Sequence, residues 1–157
     1  MRLRGDYLQA EPMYAQALTL ARELGDQRTE AHIGQELGIV AIHLGDAEQA
    51  TALLEGSLAA FRKWADPLGI ARCLLGFADL RQVQGETERA ARLLGFLELW
   101  LRSNKIQLLH FDRTNYEGIL AGVRTQLGQP RSAASEQAGA SFTLEQAVAC
   151  ALQQDEP

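Results

Sequence analysis

Apolar and small residues recur along this chain at spacings of three and four, interrupted by Gly-Asp and Gly-Glu pairs. That is the pattern of amphipathic helices joined by tight turns. The clearest stretch runs from Leu37 to Leu58. Leu37, Gly38 and Ala41 close one helix, Gly45-Asp46 turns the chain, and Ala50, Leu53, Leu54, Ser57 and Leu58 open the next. Small residues at such positions let two helices cross closely. A shift of 40 residues either way reproduces the pattern: Gly5-Asp6, Gly45-Asp46 and Gly85-Glu86 align, followed by Ala10, Ala50 and Ala90, then Tyr14, Leu54 and Leu94. An internal repeat of this kind predicts stacked helical hairpins.

In chain order, Met1 to Arg4 reads as the last turn of a helix that is mostly missing. Asp6 then reads as the cap of a first helix carrying Leu8, Tyr14, Ala17, Leu18, Ala21 and Leu24 on one stripe. Pro12 lies inside it and is expected to bend or loosen the first turns. Asp26 is the candidate cap of a helix from Gln27 to Leu44, and Asp46 of one reaching about Ala65. Asp66-Pro67 opens a fourth that runs to Gln84, since Asp caps well and Pro is tolerated at the first helical position. The fifth, Thr87 to about Ser103, is apolar nearly all round and must be covered on more than one side by the C-terminal segments. Ser103 to Phe111 reads as an apolar connector. Thr114-x-x-Glu117 has a capping-box pattern, opening a helix through Tyr116, Ile119, Leu120, Val123 and Leu127. Residues 131–142, rich in Ala, Ser and Gly, read either as a short weak helix or as a loop. Thr143-x-x-Gln146 opens a last helix, and Gln153 to Pro157 is expected to fray.

Composition narrows the function classes. A chain of 157 residues that is 46% hydrophobic can build one domain or a short array with a continuous core. The run from Leu93 to Leu101 is broken by Gly95 and Glu98, well short of the roughly 20 residues of a membrane span. No basic leader opens the chain, so export is not expected. Cys73 and Cys150 stand 77 residues apart, each on an apolar stripe; they read as buried thiols in a reducing compartment, hence a cytoplasmic location. A formal charge of −5 and a pI near 5.2 repel phosphate backbones, so this segment is not expected to bind nucleic acid. Arg89, Arg92 and Arg102, interleaved with Glu88 and Glu98, read as a solvated face.

Chemistry-bearing constellations are absent from the pattern. His32 and His43 share a helix face, but three turns put them about 16 Å apart, too far for one metal. His110 stands alone. The pairs Asp6 with Glu11 and Glu86 with Glu88 lie at helix starts, where acids favour the helix dipole. No nucleophile has a recognisable base, and no Gly-x-x-x-x-Gly-Lys loop or basic helix-turn-helix is present. The expectation is a protein that is not an enzyme, with no catalytic residue, no metal and no cofactor.

The segment Leu37-Gly38-x-x-Ala41, Gly45-Asp46, Ala50-x-x-x-Leu54-x-x-Ser57 resembles the tetratricopeptide repeat, and Ala10-x-x-x-Tyr14-x-x-Ala17 matches its second helix. The copy Phe77-Ala78-x-x-Arg81, Gly85-Glu86, Ala90-x-x-x-Leu94-x-x-Leu97 is looser, with Arg81 where a small or aromatic residue is usual. The period of 40 exceeds the motif's usual 34 or so. Further on, Arg89-Ala90-Ala91-Arg92-Leu93-Leu94-Gly95, Tyr116-Glu117, Leu127-Gly128 and Thr143 to Ala149 resemble the C-terminal region of STAND-class bacterial regulatory ATPases, LuxR-type transcriptional regulators among them. The resemblance spans roughly residues 5–153, and the missing phosphate loop means that this chain is not the ATPase part.

The resemblance implies an all-α fold of antiparallel hairpins stacked as a right-handed superhelix. About two and a half hairpins would fill residues 1–104, with C-terminal capping helices over 105–157 on the same core. It implies a non-catalytic interaction scaffold or sensor arm of a signalling regulator, binding a protein or peptide on the concave face. Carried onto this chain, that face is His32, Gln35, Ile39 and Ile42 on one helix with Arg72, Leu75, Asp79 and Gln82 on the next. Ile and Leu mixed with amides suit a peptide or helix better than a carboxylate clamp. Equally open is that Ile39, Ile42 and Leu75 are simply covered by the C-terminal helices. A different reading is a small-molecule effector pocket near Trp100, His110 and Phe111. The first helix, with Leu8, Met13, Tyr14 and Leu18 and few charges between them, is expected to self-associate as a two-fold dimer.

Overall fold

Four of the helix starts are set by side chains that satisfy orphan backbone donors. Asp26, Asp46 and Asp66 each accept the backbone N–H three residues on, at 3.1, 3.0 and 3.0 Å. Thr143 and Gln146 form the reciprocal capping box that their spacing predicts. Asp26 also accepts the Thr29 hydroxyl, and these bonds hold its carboxyl below the usual carboxylate range.

The helix ends follow a shorter rhythm than the sequence repeat. Gly25, Gly45, Ala65, Gly85 and Lys105 all have left-handed φ, between 51° and 84°, at intervals of 20 residues. At each, the residue's own N–H bonds the carbonyl three back, and the next N–H bonds the carbonyl five back, as at Gly45→Ile42 and Asp46→Ala41. This is the Schellman arrangement. Each 20-residue unit is thus one helix and one turn.

The computed structural model describes residues 4–153, and these are all-helical, with eight helices and no strand: α1 Arg4–Leu24, α2 Gln27–Leu44, α3 Ala47–Lys63, α4 Pro67–Val83, α5 Thr87–Ser103, α6 His110–Leu127, α7 Gln129–Ala140 and α8 Leu144–Ala151. No helix among the described residues is long and apolar enough to cross a membrane. Two expectations are corrected. Asp6 lies inside the first turn of α1, which begins at Arg4, so it is no cap, and this helix continues through Pro12. Thr114 lies inside α6, where its hydroxyl bonds the His110 carbonyl, so Thr114 and Glu117 open nothing. Most of the stretch left open between weak helix and loop is helix α7. The expected turn at Met1 to Leu3 and the fraying at Gln154 to Pro157 fall outside the described residues.

The chain divides into two compact units, Met1–Gly76 and Phe77–Pro157, with the boundary inside α4, whereas the repeat pattern divides it at 104. In the first unit, α2 packs against both α1 and α3. Leu54, fully buried on α3, fills the space left by two glycines: a Cβ on Gly38 or on Gly76 would lie 3.0 Å from its side chain. Ser57 is buried and donates to the Ala31 carbonyl at 2.8 Å, which ties α3 to α2. The Phe61 ring lies on Gly69, where a Cβ would come within 2.3 Å.

In the second unit, α5 is the hub. It packs against α6, α7 and α8, which cover the apolar circumference formed by Ala90, Ala91, Leu93, Leu94, Phe96, Leu97 and Leu101. The closest approach is to α7. A Cβ on Gly95 would fall 1.9 Å from the Glu136 carbonyl oxygen, and one on Gly139 would fall 1.7 Å from the Arg92 carbonyl oxygen. The two backbones therefore touch, with no side chain between them. Arg81, buried in this unit, donates Nε and Nη2 to the Ala151 carbonyl at 3.0 and 2.6 Å, and Arg89 donates Nη1 to the Cys150 carbonyl at 2.8 Å. Together they cap the C-terminus of α8, where cations complement the helix dipole.

Candidate interaction surface

The face expected to bind a partner is largely interior. Gln35 is 1% exposed, and Ile39, Ile42, Leu75 and Asp79 are all buried. Arg72 is partly buried and paired with Glu36. The Gln82 side chain lies on Gly122. His32 alone of the eight is exposed, with its ring tilted against Phe61 at 5.0 Å. The physical reason is visible on α4, where every residue from Cys73 to Arg81 is buried. A helix covered all round offers no concave face. The binding assignment of these buried positions is therefore corrected, and they serve as core.

Neither amide atom of Gln35 has a hydrogen-bond partner. An unsatisfied buried amide costs on the order of 1–3 kcal/mol.

Most of the exposed large apolar side chains of the first unit lie on α1. Met13 is 71% exposed, Leu20 54% and Leu24 73%. With Ala10 and Ala17 they occupy positions separated by 3, 4, 3 and 4, so they form one straight seam along the helix. Asp6, Ala10, Met13, Tyr14 and Ala17 line an open groove of about 480 Å³ there. The neighbouring stripe of α1, Tyr7, Leu18 and Ala21, is buried and anchors the helix. Leu18 was expected on the self-association face; it is 6% exposed and is corrected to core. Leu8 is exposed but sits about 140° round the helix from Met13, off the seam. Met13 and Tyr14 line the open groove, and Leu20 and Leu24 continue the exposed seam along the helix.

A second groove of about 320 Å³ lies among α1, α2 and α3. Ala31, Gly34 and Gly56 are among the small residues lining it, and Arg22, Glu30 and Trp64 also border it. Of its lining residues, Arg22 and Glu30 are paired at 2.8 Å, and Trp64 carries the Arg28 guanidinium over its ring at 4.8 Å. In the second unit, Trp100 stacks on Phe96 with ring centroids 5.5 Å apart, while His110 and Phe111 are exposed. The nearby 400 Å³ cleft is walled by other residues, Glu98, Arg102, Lys105 and Arg113 among them. Trp100, His110 and Phe111 do not converge on it.

Among the described residues, no group of three or more His, Cys, Asp or Glu side chains is placed to hold a metal ion. Cys73 and Cys150 are buried thiols not joined in a disulfide, and burial pushes the Cys73 thiol up, away from nucleophilic thiolate. His43 stacks flat on Tyr7 at 4.3 Å. Comparison with protein-family models, with curated proteins and with solved structures finds nothing that matches this chain.

Proposed function

We propose that this chain is a non-catalytic protein-interaction segment, a tetratricopeptide-like helical array serving as scaffold or sensor arm in a bacterial signalling or transcriptional regulator. The observation that carries the interaction reading is the apolar seam on α1, with Met13, Leu20 and Leu24 each more than half exposed. Exposed apolar residues in one contiguous strip are a common mark of a protein-binding surface. Their alternating spacing of three and four suits a helix laid lengthwise, the helix-in-groove mode.

The regulator setting is supported by the residue resemblance at Arg89 to Gly95 and Thr143 to Ala149. The right-handed superhelical stacking belongs to the same proposal and is supported by the 20-residue rhythm of identical turns. Two buried thiols not joined in a disulfide suit a reducing, cytoplasmic setting.

Two measurements test this reading. A thermal-shift panel of metabolites is expected to give no stabilisation, because ligands that bind only the native state raise the melting temperature by mass action. Affinity capture from the host cell is expected to recover a protein retained by His32→Ala and lost by Leu20→Glu. Stabilisation by one metabolite, together with capture indifferent to Leu20, would replace the interaction reading with an effector-binding one.

A further inference from the structure

We infer that the partner of the α1 seam is α1 of a second copy, packed antiparallel about a two-fold axis. This rests on the interaction reading above and names its occupant. The seam reads Ala10, Met13, Ala17, Leu20, small and large in alternation, with Leu24 following. A two-fold that sets each seam position i opposite position 30 − i brings Ala10 against Leu20 of the second copy, and Met13 against Ala17. Every large side chain then meets a small one, four layers in succession, which is the condition for filling a helix interface without void or overlap. A parallel pairing would set Ala10 on Ala10 and Met13 on Met13, leaving gaps at one layer and crowding at the next. Leu24 meets Asp6 of the second copy at each open end, where water reaches the carboxylate.

Charge agrees with this register. The chain carries −5 overall, so two copies repel at long range, and a self-pairing face must keep its acids apart. The rim of the seam away from α2 holds Gln9, Gln16 and Glu23. The two-fold brings Gln16 against Gln16 and Glu23 against Gln9, so no acid on this rim faces another. The buried stripe of Tyr7, Leu18 and Ala21 holds α1 in place before pairing, so little of the binding free energy is spent ordering it.

The 21 residues of α1 span about 31 Å, and a single helix pair of that length buries less than the roughly 800 Å² per partner of a standard interface. Association is accordingly expected to be weak and reversible.

Sedimentation velocity on the full chain, from micromolar to millimolar protein, tests this. A monomer–dimer equilibrium with no larger species is expected. Leu20→Glu, whose far-UV circular dichroism should be unchanged because Leu20 is already exposed, is expected to weaken it at least tenfold. Gln16→Glu and Gln16→Lys are each expected to weaken it severalfold alone and to recover it when mixed, because residue 16 faces its own copy. A wild-type chain that stays monomeric at millimolar concentration with α1 protected from hydrogen exchange overturns the inference. So do an unaffected Leu20→Glu dimer and a mixture of the two Gln16 variants that associates no better than either alone. If the chain is monomeric while Leu20-dependent capture of a different protein persists, the self-pairing falls and the interaction reading stands.

Discussion

The α2–α3 crossing of the first unit and the α5–α7 crossing of the second both depend on glycine, but not in the same way. Between α2 and α3 the glycines receive side chains: Gly38 faces Leu54, and Gly34 faces the Ser57 hydroxyl, where a Cβ would come within 2.8 Å. Between α5 and α7 they receive backbone, the Glu136 and Arg92 carbonyls. Side chains change rotamer or shift by a few tenths of an ångström, whereas a helix backbone moves only with the whole helix. The first crossing can therefore absorb an added methyl group, and the second cannot.

This difference sets the largest expected effect. Gly139→Ala should destabilise the chain by about 3–5 kcal/mol, because α7 must separate from α5 to admit the methyl group. Gly38→Ala should change stability by about 1 kcal/mol or less, since displacing Leu54 slightly is offset by the better helix propensity of alanine. Urea unfolding of both variants checks the contrast, and equal losses would erase it.

Next in size is the cap on α8. Arg81→Met keeps the apolar stem but leaves the Ala151 carbonyl without its two donors. A loss of about 2–3 kcal/mol is expected, with hydrogen-exchange protection falling in α8 before α5. Uniform loss of protection across the second unit would mean that Arg81 acts through packing alone.

In the first unit the expected change has the opposite sign. Gln35→Leu replaces an unpartnered buried amide with an apolar group of similar size and should stabilise by about 1 kcal/mol, read as a higher melting temperature. A lower melting temperature would show that the amide has a role not visible in its contacts.

The smallest effect concerns the turns. Lys105 holds the left-handed conformation that glycine holds at three of the equivalent turns, with φ of 54°. Lys105→Gly should therefore gain about 0.5–1 kcal/mol, less the entropy that glycine loses on folding. Chemical denaturation with an unchanged slope would read this directly.

The crossings also show what a sequence reveals. Most features within one helix or turn were legible: Asp26, Asp46 and Asp66 cap where their positions say, and the Thr143–Gln146 box forms, although Asp6 and Thr114 lie inside helices instead of opening them. Contacts made across many residues were not. Arg81 looks like a misfit in its repeat because the carbonyl it caps lies 70 residues away. The Ala, Ser and Gly of α7 look like loop composition, yet Gly139 is small because Arg92 touches its backbone. Ile39, Ile42 and Leu75 would show the same periodicity whether they faced a partner or a core, so spacing could not decide between them. An exposed apolar face on α1 was expected at Leu8, Met13, Tyr14 and Leu18, whereas the seam runs through Ala10, Met13, Ala17, Leu20 and Leu24, so its exposure was legible and its register was not. Leu18 and Leu20 are both leucines two residues apart, and only the structure separates the buried one from the free one.

The proposed binding surface of this chain lies on α1 and not on the inner faces of α2 and α4. Photo-crosslinking in the host cell tests it most directly, with a photoreactive residue placed at Leu20 in one variant and at Ile39 in another. A discrete protein adduct is expected from position 20 and none from position 39. Adducts from position 39 with silence at position 20 would contradict it.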